Sequence, residues 1–234
     1  MSQENPVLSP VPSSVPAGAI GAAQQRVLRN TYLLLAVSLI PTVIGASIGI
    51  ATGFSLFKTV GPLFGIVLFL AVSFGFFFAI EKTKNSSAGV FILLGFTFFM
   101  GLMLSSLLGK VMSLKDGGLL VATAFGGTAA IFMAMASIGT VIRRDLSKMG
   151  KFLFIGAVML LIAGIANVFL QMPALYIALS VLALGIFSAF MVYDINQIVT
   201  GGETNYISAT LSLYLDIYNV FSNLLALLGI TSSD

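Results

Sequence analysis

YISATLSLYLDIYNVFSNLLALLGI, residues Tyr206–Ile230, is an apolar run with a single acid, Asp216, near its middle. A helix needs about 20 apolar residues to cross the hydrocarbon core of a bilayer, and this run is long enough. At about 100° per residue, Ser208, Ser212, Asp216, Asn219 and Asn223 fall within an arc of about 80°. Lipid offers no hydrogen bonds, so such a polar stripe must face protein or water. The run therefore predicts a transmembrane helix at the centre of a bundle, with other helices around it. An ionised carboxylate at bilayer depth costs at least ~2.5 kcal/mol on insertion scales, which makes Asp216 a functional candidate by default.

Outward from this run, the chain is of the same kind. Of its 234 residues, 58% are hydrophobic and 8% charged, and the mean hydropathy is +1.08. Soluble domains carry about 25% charged residues, so most of this surface must face lipid. Six further runs have spanning length: Thr31–Gly53, Val60–Ile80, Ala88–Leu108, Leu119–Val141, Phe152–Gln171 and Ala174–Thr200. The expected fold is an all-α integral membrane protein with seven transmembrane helices, the seventh surrounded by the other six, over residues 26–234. Pro173 splits the fifth span from the sixth, because it lacks an amide proton and clashes with the preceding turn. Gly201-Gly202 separates the last two. Glycines four apart (Gly45, Gly49 and Gly53; Gly61 and Gly65) and the run Ala122, Gly126, Ala130 and Ala134 predict close helix packing. Pro41 predicts a kink in the first span.

Residues 1–25, with Pro6, Pro10, Pro12 and Pro16 among Ser, Gly and Gln, read as a disordered polar tail rather than a signal peptide. Lys and Arg in the short loops set orientation. A cytoplasmic N-terminus places Arg26, Arg29, Lys82, Lys84, Arg143, Arg144, Lys148 and Lys151 inside, and Lys58, Lys110 and Lys115 outside. The N-terminus is expected in the cytoplasm and the C-terminus on the periplasmic or extracytoplasmic side. Topology thus explains the net charge of +3, and nucleic acid is not expected as a partner. The absence of Cys and His removes the usual soft metal ligands, so no zinc, haem or iron–sulfur cofactor is expected. Asp145 reads as a cap for the helix that follows it. Asn167 reads as the donor or acceptor of an interhelical bond, with the lining of a cavity as the alternative.

A second acid, Asp194, lies in the sixth span, twenty-two residues before Asp216. Antiparallel neighbours bring residues equidistant from their turn to one height. A turn centred on Asn205 makes the two acids level, whereas one centred on Gly201-Gly202 offsets them by about 10 Å. Two carboxylates sharing a dry site titrate as a coupled pair and cannot both ionise cheaply. Such a pair would hold a proton at rest and a cation when both acids are charged. Calcium is the natural candidate, as a hard cation that takes oxygen ligands. Its usual six to eight oxygens exceed what two carboxylates offer, so water, Asn196, Asn219 or backbone carbonyls would complete a weak, transient site. Ser212 and Asn223 extend the polar support, and interhelical glue is the expected role of Asn219 and Asn223.

Tyr193-Asp194-Ile195-Asn196-Gln197-Ile198, followed by Ser212-Leu213-Tyr214-Leu215-Asp216-Ile217-Tyr218-Asn219, resembles the Bax inhibitor-1 family. Gly201-Gly202-Glu203-Thr204-Asn205-Tyr206, Arg26-Val27-Leu28-Arg29-Asn30-Thr31-Tyr32 and Ala166-Asn167-Val168-Phe169-Leu170-Gln171 are similar to its bacterial YccA-like branch. The likeness covers nearly the whole chain after the tail. It implies a last helix wrapped by six others and a pH-sensitive calcium leak in the bacterial inner membrane. It also implies that the pair Asp194 and Asp216 is the sensor. In the leak members a basic residue at the cytoplasmic end of the second span latches the pair. The corresponding residues here are Ile80-Glu81-Lys82-Thr83-Lys84, with Lys82 the candidate latch and Glu81 a departure. A Lys ammonium is a point charge and cannot make the bidentate bond of a guanidinium. The branch also implies an FtsH-type membrane protease as partner, engaged through the N-terminal tail.

An enzyme is not expected. Two membrane aspartates superficially suit an intramembrane aspartyl protease, but Tyr214-Leu215 stand before Asp216 where that chemistry needs a glycine-flanked, opened helix. No glycine loop followed by Lys-Ser/Thr supports an ATP-driven pump.

Overall fold

The computed structural model describes residues 20–232, and these form eight helices. They are α1 (Ala22–Thr52), α2 (Leu56–Val60), α3 (Pro62–Thr83), α4 (Ser87–Met112), α5 (Gly117–Val141), α6 (Ser147–Leu170), α7 (Pro173–Thr200) and α8 (Tyr206–Thr231). Seven of them, all but α2, are long and apolar enough to cross a membrane. Each matches one expected span, with ends displaced by no more than five residues except at the start of α1, which lies nine residues earlier than expected. Most of the expected tail lies outside the described residues, but positions 22–25 already belong to the first turn of α1.

The breaks fall where backbone chemistry requires them. Pro173 opens α7 at its first turn, where a missing N–H leaves no bond unmade. Gly201 closes α7 at φ 83°, a left-handed conformation that only glycine adopts without cost. Pro41 lies inside α1, which nevertheless continues as one helix to Thr52. Asp145 accepts from the Ser147 N–H at 2.8 Å and from its hydroxyl at 2.5 Å, as expected of a residue starting α6. The Ser147 hydroxyl and then its amide hold the Asp145 carboxyl below the usual carboxylate range. Asn167 is buried but does not bridge helices. Its Oδ1 accepts the Met172 N–H at 3.1 Å, closing the α6–α7 turn.

The tightest packing is the crossing of α1 and α4. A Cβ on Gly45 would collide with the Phe98 carbonyl, and one on Gly101 with the Thr42 carbonyl. Two backbones approach this closely only where side chains are absent, which is how helices associate when lipid removes the hydrophobic drive. Gly49 extends the contact to Ser105. On α5 the expected stripe proves to be the wrong one. Ala122, Gly126, Ala130 and Ala134 are exposed, whereas Ala124, Thr128 and Gly139 are buried. Both rows are small, so residue size alone does not distinguish them. Gly139 is buried because Val192 and Ile195 of α7 press on it.

α8 packs against α1, α3, α4, α5 and α7, and α6 packs on α7. Aromatic and aliphatic side chains such as Phe74, Phe91, Phe152 and Ile162 point outward, as a lipid-facing surface requires. Tyr214 fixes α8 to the α1–α4 crossing. Its hydroxyl shares a 2.9 Å hydrogen bond with Thr42 of α1 and lies 3.4 Å from the Thr97 carbonyl of α4.

Candidate functional site

The turn between α7 and α8 is built by local bonds. The Glu203 N–H donates to the Gln197 carbonyl at 3.0 Å, folding the turn back on α7. Asn205 then caps α8, accepting from the N–H groups of Ile207 and Ser208 at 2.9 and 3.2 Å. Its Nδ2 donates to the Lys84 carbonyl at 2.9 Å and to Asn85 Oδ1 at 3.0 Å. One side chain therefore both starts the last helix and ties it to the α3–α4 turn.

α7 ends at Thr200 and α8 begins at Tyr206, so the turn centres on Glu203, between the two positions considered above. That geometry offsets the two acids by about 6 Å along the helices, at about 1.5 Å per residue. Carboxylate side chains span this offset, and those of Asp194 and Asp216 come within hydrogen-bonding range of one another.

The two acids are not equivalent. Asp216 is 4% exposed, and its Oδ2 has no hydrogen-bond partner. An unpaired buried oxygen of this kind costs about 1–3 kcal/mol. Asp194 is half-buried and lines a cleft of about 260 Å³ with Tyr193, Gln197, Gly202, Glu203, Ala209 and Ser212. Its walls are mostly polar, and at Gly202 the missing side chain makes room for the Gln197 amide. Glu203 places a third carboxyl there and acts electrostatically on Asp194. The Ser208 hydroxyl, two turns before Asp216 on the same face of α8, is likewise buried and unpartnered.

Of the expected supporting residues, only Ser212 joins the cleft. Asn196 donates to the Ile142 carbonyl at 2.7 Å, fastening α7 to the end of α5, and its Oδ1 is unpartnered. Two residues from Asp194, it projects about 160° around the helix from it. Asn219 and Asn223 do not glue helices together. Their amides donate to the carbonyls of Leu215 and Asn219, each at 2.8 Å, four residues back in their own helix. A donor that reaches its own preceding turn has no need of a neighbour. Lys82 rests over the Phe78 ring, 4.3 Å from its centroid, and Glu81 pairs with Lys84 at 2.5 Å. Neither reaches the acid pair. Lys84 lies within electrostatic range of Glu203 as well as Glu81, and the Glu81 hydrogen bond raises its pKa.

Glu203, Tyr193 and Gln197 were not among the expected site residues. Tyr193 and Gln197 are four apart and share a helix face with Asp194, a spacing visible in the sequence. Glu203 read as a loop residue, and only the position of the turn reveals that it faces the cleft. Among the described residues, no group of three or more His, Cys, Asp or Glu is arranged to hold a metal. Two or three carboxyls with water suit a passing hard cation rather than a resident one.

Residues 24–233 match the family model described as "Inhibitor of apoptosis-promoting Bax1". The chain belongs to the Bax inhibitor-1 family. It is 38% identical over 209 residues to the "Modulator of FtsH protease YccA" of Escherichia coli strain K12, covering 89% of this chain and 92% of that one. The "Inner membrane protein YccA" of Escherichia coli O6:H1 matches to the same extent. An "Uncharacterized membrane protein" of Vibrio cholerae is 35% identical over 209 residues, covering 89% and 91%. The acid pair, the cleft and the Asn205 tether all fall inside the stretch shared with the family.

Proposed function

We propose that this Bax inhibitor-1 family member is a cation leak of the bacterial inner membrane, with calcium the favoured ion, gated by protonation of Asp194 and Asp216. The observation that carries this function is the pairing of an acid open to a polar cleft with a buried acid behind it that has an unpartnered oxygen. With a proton between them, the two carboxyls hydrogen-bond and hold α7 against α8. Without it, two adjacent charges in a water-poor site repel, and a hard cation arriving through the cleft relieves the repulsion. Glu203 adds negative potential at the mouth. The charged groups acting on the pair are the two acids themselves and Glu203.

In this scheme α8 is the central helix, a placement supported by its packing on α1, α3, α4, α5 and α7. The N-terminus is cytoplasmic and the C-terminus periplasmic. The Asn205 and Asn196 bonds gather the α7–α8, α3–α4 and α5–α6 connections at one end, and those connections carry Lys84, Arg143 and Arg144. A basic end is a cytoplasmic end. The relative named as an inner membrane protein supports the location. Calcium flux into proteoliposomes measured across pH tests the gate. Native protein gives pH-dependent flux, and Asp216→Asn gives little. Unaltered pH-dependent flux in Asp216→Asn removes the proposal.

A second role rests on a separate observation, the 38% identity to a protein named as a modulator of the FtsH protease. In that role the chain binds an FtsH-type protease through its N-terminal residues. Deleting residues 1–19 should lengthen the lifetime of the protein in cells that contain the protease. An unchanged lifetime counts against it.

A further inference from the structure

A second cavity lies on the other side of Tyr193. It is an open groove of about 510 Å³ between the start of α6 and the end of α7, lined by Ser147, Gly150, Lys151, Phe154, Ile155 and Tyr193. Ser147, Lys151, Phe154 and Ile155 repeat at the spacing of one helix face. Gly150 lets the Tyr193 ring pack directly on α6 at the groove wall, because a Cβ there would run into that ring. The walls are largely apolar, as an acyl chain requires. The upper end is cationic. Arg143, Arg144, Lys148 and Lys151 all lie within nine residues and are exposed. None of them is in an ion pair among the described residues. Asp145, the one acid beside them, has an oxygen already engaged by Ser147.

We infer that the α6–α7 groove is a binding site for one anionic phospholipid, its phosphate held by Lys151 and Lys148 and an acyl chain lying on Phe154 and Ile155. Charge complementarity selects this occupant. A zwitterionic lipid would fill the same apolar wall but carries its own cation to the cluster. Lys148 and Lys151 are three apart and so are neighbours on the helix surface, able to share one phosphate. Tyr193 makes the site more than a surface contact, because the same ring also lines the acid cleft. The ring lies within electrostatic range of both Asp194 and Asp145. A chain seated in the groove buttresses the wall that separates it from the acid pair. The site does not depend on cation leakage.

The test is native mass spectrometry of the full chain released from detergent, with phosphatidylglycerol and phosphatidylcholine of identical chains in equal amounts. The native protein should retain phosphatidylglycerol over phosphatidylcholine by about tenfold. Lys148→Gln with Lys151→Gln should bring the ratio near unity. Lys58→Gln with Lys110→Gln, at the opposite end, should leave it unchanged. Ile155→Trp fills the groove without altering charge, and should lose the retained lipid of either kind. Equal retention of the two lipids by native protein overturns the inference. So does a preference surviving in the Lys148/Lys151 variant, retention surviving in Ile155→Trp, or displacement by millimolar glycerol phosphate, which would mark a free-phosphate site. Thermal unfolding of each variant confirms that it is folded before the ratio is read.

Discussion

The α1–α4 crossing and the α7–α8 pairing are both close contacts between long apolar helices, yet they are made in opposite ways. At the crossing, glycines bring backbone to backbone, and Thr42 and Tyr214 satisfy each other's hydroxyls. At the α7–α8 pairing, two acids face each other, a cleft reaches one of them, and Asp216 Oδ2 and Ser208 Oγ find no partner. α8 takes part in both. Tyr214 lies on its satisfied side and Asp216, two residues on, on its unsatisfied side. A membrane bundle cannot leave polar groups unpaired without cost. Among the described residues two such atoms, Ser208 Oγ and Asp216 Oδ2, share this side of α8, while Thr31 Oγ1, Ser73 Oγ and Asn196 Oδ1 lie singly on α1, α3 and α7.

Substitutions should reproduce this division, and the largest effect belongs to the crossing. Gly101→Leu drives a side chain into the Thr42 backbone, where neither partner can give way. It should destabilise the protein by more than ~3 kcal/mol in denaturant titrations of purified protein, or abolish folded yield. A mild effect would mean that the crossing is not the scaffold. Tyr214→Phe removes one hydroxyl from a satisfied pair and leaves Thr42 able to donate to the Ser38 carbonyl, 2.9 Å away. A loss of about 1 kcal/mol is expected, measured in the same way. Asp216→Asn should cost no more than ~0.5 kcal/mol, or raise stability, because the amide can donate to Asp194 where the carboxylate could not. A loss as large as that of Gly101→Leu would make Asp216 a structural group and erase the contrast.

The seven spans were legible because each is long, apolar and ended by Pro, Gly or charge, features that act locally. Asp194 and Asp216 were legible for the opposite reason, as polar exceptions in runs that should contain none. What the sequence could not reveal was direction. Ala122 and Ala124 on α5 are equally small, and only the position of α7 decides which is buried. Asn196, Asn219 and Asn223 share the right height or stripe, but each finds a donor's partner nearer than the acids. Lys82 lies in the segment expected to carry a latch, but rests on a ring one turn back in its own helix. Helix existence is set by neighbours in the chain, whereas partner choice is set by neighbours in space.

The Asn205 tether has a consequence for how the molecule is made. α8 follows the other six spanning helices in the chain, is the least apolar of the seven and carries a buried acid. Such a segment is a poor solitary entrant to hydrocarbon. The carbonyl of Lys84 and the side chain of Asn85, which receive its cap, are synthesised more than a hundred residues earlier. α8 thus arrives at a berth that the second and third spans have already prepared.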